Sequence, residues 1–222
     1  MTKTRLTSLP ALAAAALFLT TALPAVAAKT HAHDHGHSHE QTEAEKRIYE
    51  GYFEDSQIQP RPLSDWEGDW QSVFSYLQDG TLDPVLEDRA AHGDKTVEEY
   101  RAYYTTGYGT DTHAIRIDGQ TVTFTSDAGS VSGTYVSDGY EVLTYRKGNR
   151  GVRYVFRKES GDAAAPGYIQ FSDHRIAPEK VDHYHLYWGD DRAEVLKELT
   201  NWPTYYPASM SGEEILHEML AH

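Results

Sequence analysis

From Asp111 onward, apolar and polar residues alternate with a period of two. Ile115 and Ile117, then Val122 and Phe124, flank Asp118-Gly119, which is a hairpin signal. Residues 131–137 and 140–146 flank Asp138-Gly139, and residues 152–158 follow the turn at 147–150. Residues 167–174 and 183–188 complete the set, so seven strands joined largely by short turns are predicted. Such a meander closes into a barrel, and an eighth strand near residues 68–73 would complete it.

Helical spacing brackets this region. Thr42 and Glu45 form a capping box before Ile48, Tyr49, Tyr52 and Phe53, which recur at helical spacing. Asp83-Pro84 predicts an N-cap followed by a proline at the first helical position, with Gly93 as the stop. Thr96 and Glu99 open a further helix bearing Tyr100, Tyr103 and Tyr104. Gly68 argues against a regular helix after Ser64. Asp191 with Glu194, and Ser211 with Glu214, start two more helices, and residues 201–207 break the chain between them. The expected fold is mainly β: an antiparallel barrel with added N- and C-terminal helices.

Lys3 and Arg5, an apolar run from Leu9 to Leu23 and the small residues Ala25-Val26-Ala27 read as a secretory signal peptide over residues 1–27. Residues 28–40 hold His31, His33, His35, His37 and His39 among small and acidic neighbours, and are expected to form a disordered tail that captures divalent metal ions loosely. Residues 41–222 remain for one domain. Formal charge is −14, and −16 once Lys3 and Arg5 leave with the signal peptide. That balance disfavours nucleic acid and anionic membranes as partners and favours cations. No cysteine is present, so any metal ligands are nitrogen or oxygen.

The candidate chemistry lies in His174, His183 and His185, spaced His-x8-His-x-His. Residues two apart on a strand share a face. A hairpin of the two flanking strands would bring His174 beside the other two, a nitrogen set that suits zinc with a fourth position open. With regular strands, Gln170, Ser172 and His174 share a polar face with His183, His185 and Tyr187. That face is expected to line a barrel mouth or cavity, with the apolar face covered by the N- and C-terminal helices. His92, His113, His217 and His222 show no partner pattern.

Several longer motifs resemble one family. They are residues 63–73 (Leu-Ser-Asp-Trp-Glu-Gly-Asp-Trp-Gln-Ser-Val), 82–84, 103–108, 138–145, 151–154, 168–174 and 201–207 (Asn-Trp-Pro-Thr-Tyr-Tyr-Pro), together with the histidine-rich start. In these the chain is similar to the ZinT (YodA) family of periplasmic zinc-binding proteins. The resemblance implies a lipocalin-like (calycin) barrel and metal ligands matching His174, His183 and His185. It implies binding of zinc, and of cadmium, in the periplasm under zinc scarcity, and help in delivery to the zinc-binding (ZnuA-like) component of an ABC importer. It implies a protein that is not an enzyme. Two rivals stay open on the residues alone. One is a zinc hydratase or hydrolase, with Glu179 or Asp182 as base. The other is a lipocalin-like carrier of an apolar ligand, suggested by Trp66-x-Gly68-x-Trp70.

Overall fold

The structure, a computed structural model, describes residues 42–221. The segments read as a signal peptide (1–27) and a histidine tail (28–40), and His222, lie outside the described residues.

Eight antiparallel strands close into a barrel in sequential order. They are β1 (Gly68–Ser72), β2 (Thr112–Asp118), β3 (Thr121–Ser126), β4 (Gly129–Thr144), β5 (Arg150–Gly161), β6 (Tyr168–Ser172), β7 (Tyr184–Gly189) and β8 (Thr204–Pro207). The total of eight is reached differently from the pattern. Residues 131–137 and 140–146 are not two strands, because β4 runs through them. Its partner β5 pairs Phe156 with Ser137 and Tyr154 with Tyr140, so Asp138-Gly139 forms a bulge rather than a turn. Arg192 holds the bulge by donating to Asp138 Oδ2 at 2.8 Å and Glu141 Oε1 at 2.8 Å. The strand missing from the pattern is β8, hidden in the proline-bounded segment 201–207; it pairs with both β1 and β7 and so closes the barrel.

The helices are α1 (Glu43–Tyr49), α2 (Phe74–Gln78), α3 (Asp83–His92), α4 (Val97–Tyr108), α5 (Arg192–Lys197) and α6 (Gly212–Ala221). The capping boxes of α1 and α4 are present as read, and Ser211 with Glu214 starts α6. In α3 the frame shifts by one residue: Leu82 is the N-cap and Asp83 is already helical. Helix α1 is shorter than its spacing suggested. It ends before Gly51, whose φ is +89°. A Cβ there would stand 2.4 Å from the Arg150 carbonyl, so glycine lets the chain leave the helix and lie against β5. Arg150 secures that contact from its backbone N–H to Gly51 O at 2.8 Å and from its side chain to Phe53 O and Asp55.

Alternating residues fill the barrel. Trp66, Trp70, Ile115, Ile117, Val122, Phe124, Tyr154, Phe156, Ile169, Phe171, Tyr184, Leu186 and Tyr205 form one buried cluster. A second cluster, outside the barrel, joins Val73, Leu77, Val85 and Leu86 to Tyr108, Tyr206, Ile215 and Met219 under α2, α3, α4 and α6. No helix of the described residues is long and apolar enough to cross a membrane.

Candidate metal centre

The faces of β6 and β7 are opposite to the expectation. Ile169, Phe171, Tyr184 and Leu186 belong to the interior cluster, and the histidine side of the sheet faces outward. The physical reason is burial. A barrel whose interior must hold Trp66 and Trp70 takes the apolar residues of each strand inward, and donors that need water or a metal are left outside.

The strands also stop short of two histidines. β6 ends at Ser172 and β7 begins at Tyr184, so His174 and His183 sit at the two ends of the connecting loop. Only His185 is within a strand, opposite Ser172 and Thr204. His174 has φ +66°, the one positive value among described non-glycine residues. A left-handed residue beside a strand end turns its side chain out of the strand's alternation. That turn brings the His174 ring centroid to 6.2 Å from that of His185, and the His183 centroid lies 6.1 Å from His185.

A buried ionic network sets the loop. Asp173 accepts from Arg61 Nη1 at 2.7 and 2.9 Å, from Trp66 Nε1 at 2.7 Å and from the Arg175 N–H at 3.0 Å. Arg61 also donates to Asp65 at 2.8 Å and to the Glu179 carbonyl at 2.9 Å. Its guanidinium lies 4.2 Å from the Trp66 ring centre. Both Arg61 and Asp173 are buried, so the pairing holds the residue just before His174 to the barrel floor.

Each imidazole is supported from outside the hairpin. His174 stacks on Tyr49 of α1 at 4.5 Å and its Nδ1 lies 3.1 Å from the Tyr49 carbonyl. His183 stacks on Tyr206 of β8 at 5.0 Å. His185 Nδ1 lies 2.8 Å from Thr204 Oγ1. Tyr49, Thr204 and Tyr206 were not singled out as site residues by pattern; the capping box before Tyr49 and the motif 201–207 are the signals that contain them. His185 has its pKa held well below the ordinary value by burial first, then by His183, His174 and Arg153. Arg153 is buried on β5, donates to the Glu198 carbonyl at 2.9 Å and covers the Tyr187 ring. The result is a neutral His185 at physiological pH, as a metal ligand requires.

A metal ion would set the ring spacing. Zinc–nitrogen bonds of about 2.1 Å in a tetrahedron place two imidazole centroids about 5.2 Å apart. The His183–His185 and His174–His185 centroids are 6.1 and 6.2 Å apart, within about 1 Å of that spacing. No group of three or more His, Asp or Glu among the described residues closes around a point that could hold an ion. A cleft of about 430 Å³ opens beside His174, between α1 and the barrel wall, with Tyr49, Phe53, Ser172 and Arg175 in its lining. The other described histidines are elsewhere: His92 contacts the Asp88 carbonyl, His113 is near Asp127 and His217 is near Glu213.

Residues 44–222 match the family described as ZinT (YodA) periplasmic lipocalin-like zinc-recruitment. The chain belongs to the ZinT (YodA) family. It is 58% identical over 181 residues to the probable metal-binding protein YrpE of Bacillus subtilis, covering 81% of this chain and 72% of YrpE. It is 51% identical over 187 residues to the zinc-binding protein AdcA of Streptococcus pyogenes, covering 82% of this chain. The chain spans 36% of the length of that AdcA. The crystal structure of the Zn(II)-bound ZinT-like domain of Streptococcus pneumoniae AdcA superposes with a TM-score of 0.75 at 47% identity, over 78% of this chain and 97% of that domain. Zn(II)-bound AdcA from the same species gives a TM-score of 0.77 at 47% identity, over 82% of this chain and 40% of that one. The lipocalin-like barrel expected of a ZinT-family chain is the barrel observed.

Proposed function

We propose that this chain captures zinc through His174, His183 and His185 and passes it on to a zinc importer. The observation that carries the reading is the outward cluster of three imidazoles at one end of a packed barrel, with centroid separations of 6.1 and 6.2 Å. Neutral nitrogen donors leave zinc its full charge, and a water, a carboxylate or a further imidazole takes the fourth position. Cadmium, a larger and softer ion, fits the same open nitrogen set. The signal peptide over residues 1–27 would deliver the protein to the periplasm, and His31, His33, His35, His37 and His39 would gather ions for the protein. The receiving partner is the zinc-binding (ZnuA-like) component of an ABC importer, a role in keeping with zinc-binding relatives of which this chain matches one part.

The proposed role is capture without catalysis. The two carboxylates best placed in sequence to act as a base, Glu179 and Asp182, are both paired with Arg175, at 3.1 and 3.3 Å. An apolar-ligand carrier is disfavoured on different ground from that expected. The barrel lining is apolar, but Trp66, stacked on Phe171 at 4.5 Å, and its aromatic neighbours fill it. Zinc calorimetry on the chain without residues 1–40 tests the proposal. One site is expected, lost in His174→Ala, His183→Ala and His185→Ala; undiminished tight binding in those variants would refute it.

A further inference from the structure

His174 and His185 each spend one ring nitrogen on a protein oxygen. His174 Nδ1 faces the Tyr49 carbonyl at 3.1 Å. A carbonyl only accepts, so that contact puts the ring hydrogen on Nδ1. His185 needs one more step, because its partner is the Thr204 hydroxyl, at 2.8 Å. Thr204 has one hydroxyl hydrogen, and its Oγ1 also lies 3.0 Å from the Trp202 carbonyl. That carbonyl cannot donate, so the hydroxyl donates to Trp202 and accepts from His185 Nδ1–H. Thr204 is 3% exposed, which leaves little room for water to offer an alternative partner. Both contacts are satisfied together in only one tautomer.

We propose that Thr204 is a positioning residue which, with the Tyr49 carbonyl, fixes His185 and His174 as Nδ1–H tautomers, so that the Nε2 of each carries no hydrogen when the metal arrives. The inference rests on the zinc reading above and adds which atom of each ring binds and what sets it. An unconstrained imidazole favours its hydrogen on Nε2, which blocks that nitrogen; the hydrogen bond made by the other nitrogen decides between the two. The two supports come from different parts of the fold. β8 pairs in register with β7, placing Thr204 opposite His185 on the barrel wall. Tyr49 comes from the last residue of α1. One ligand is thus preset by the sheet and the other by a helix laid against it.

The test combines imidazole nitrogen NMR of the zinc-free protein with zinc calorimetry, on the wild type, Thr204→Val and Thr204→Ser. The wild type and Thr204→Ser should show the His185 hydrogen on Nδ1 and bind zinc alike. Thr204→Val, close in shape but without the acceptor, should show His185 with hydrogen on Nε2 and bind zinc about 10- to 100-fold more weakly, with an unchanged near-ultraviolet spectrum. A wild-type His185 carrying its hydrogen on Nε2, or a Thr204→Val protein of wild-type affinity, overturns the inference. Should Thr204→Val fail to fold, the wild-type tautomer and the Thr204→Ser affinity still decide. Zinc should also shift the His185 Nε2 resonance of the wild type. If it does not, the zinc reading itself has failed, whereas the tautomer is read without metal.

Discussion

Arg61 donates through Nη1 to both carboxylate oxygens of Asp173, at 2.7 and 2.9 Å, across 112 positions of sequence. The pair ties the segment before β1 to the residue preceding His174, so it links barrel closure to the placement of one imidazole. Removing one partner leaves the other as an uncompensated buried charge. Arg61→Met should therefore cost about 3–5 kcal/mol in urea unfolding. It should also weaken zinc binding, because the loop loses its anchor. An unchanged unfolding midpoint would show that the pair does not hold the fold.

His174 combines a proposed ligand role with a left-handed backbone, φ +66°. Alanine and glycine both remove the imidazole, but only alanine retains the Cβ that makes this conformation costly. His174→Gly should be more stable than His174→Ala by about 1 kcal/mol, with zinc binding lost in both. Equal thermal stability in the two variants would mean that the loop relaxes without cost.

Gly51 lets the chain turn from α1 onto β5, where a Cβ would meet the Arg150 carbonyl at 2.4 Å. Gly51→Ala should destabilise the protein by about 1–3 kcal/mol. More specifically, it should raise amide hydrogen exchange in α1, because the helix is displaced from Arg150 and from His174. Exchange that stays at the wild-type level would exclude that coupling.

Stability should also depend on pH through His185. Its folded pKa is depressed by burial and by the neighbouring His183, His174 and Arg153. An unfolded histidine titrates near about 6.5. Below that pH the unfolded chain takes up a proton that folded His185 refuses, so stability falls until the folded pKa is reached and then levels. Urea midpoints measured from about pH 7.5 down to about pH 5 should show this slope, and His185→Gln should flatten it. A slope of the same size in His185→Gln would assign it to other groups.

Removal of residues 28–40, which hold five of the histidines, should reduce the number of zinc ions bound without changing the affinity of the tightest site. Loss of the tight site on truncation would instead place a tail histidine among its ligands.

Much of this protein is legible in its residues because local rules act over short distances. Period-two alternation marks most of the strands, and capping boxes mark the starts of α1 and α4. The motifs at residues 63–73, 168–174 and 201–207 carry the family. The spacing of His174, His183 and His185 is enough to suggest a nitrogen site. What the pattern could not settle depends on partners far along the chain. Asp138-Gly139 has the composition of a turn, but β5 is long enough to pair across it and makes it a bulge. The segment 201–207 looks like a break until β1 and β7 supply the two edges that make it β8. Which face of β6 and β7 points inward was decided by the volume of aromatic side chains that the closed barrel had to bury. The placement of His174 came from the neighbouring Asp173 and from Arg61, 112 residues before that carboxylate. Sequence supplied the donors and their order; closure of the barrel decided where they met, because only the assembled core determines which residues can remain in water.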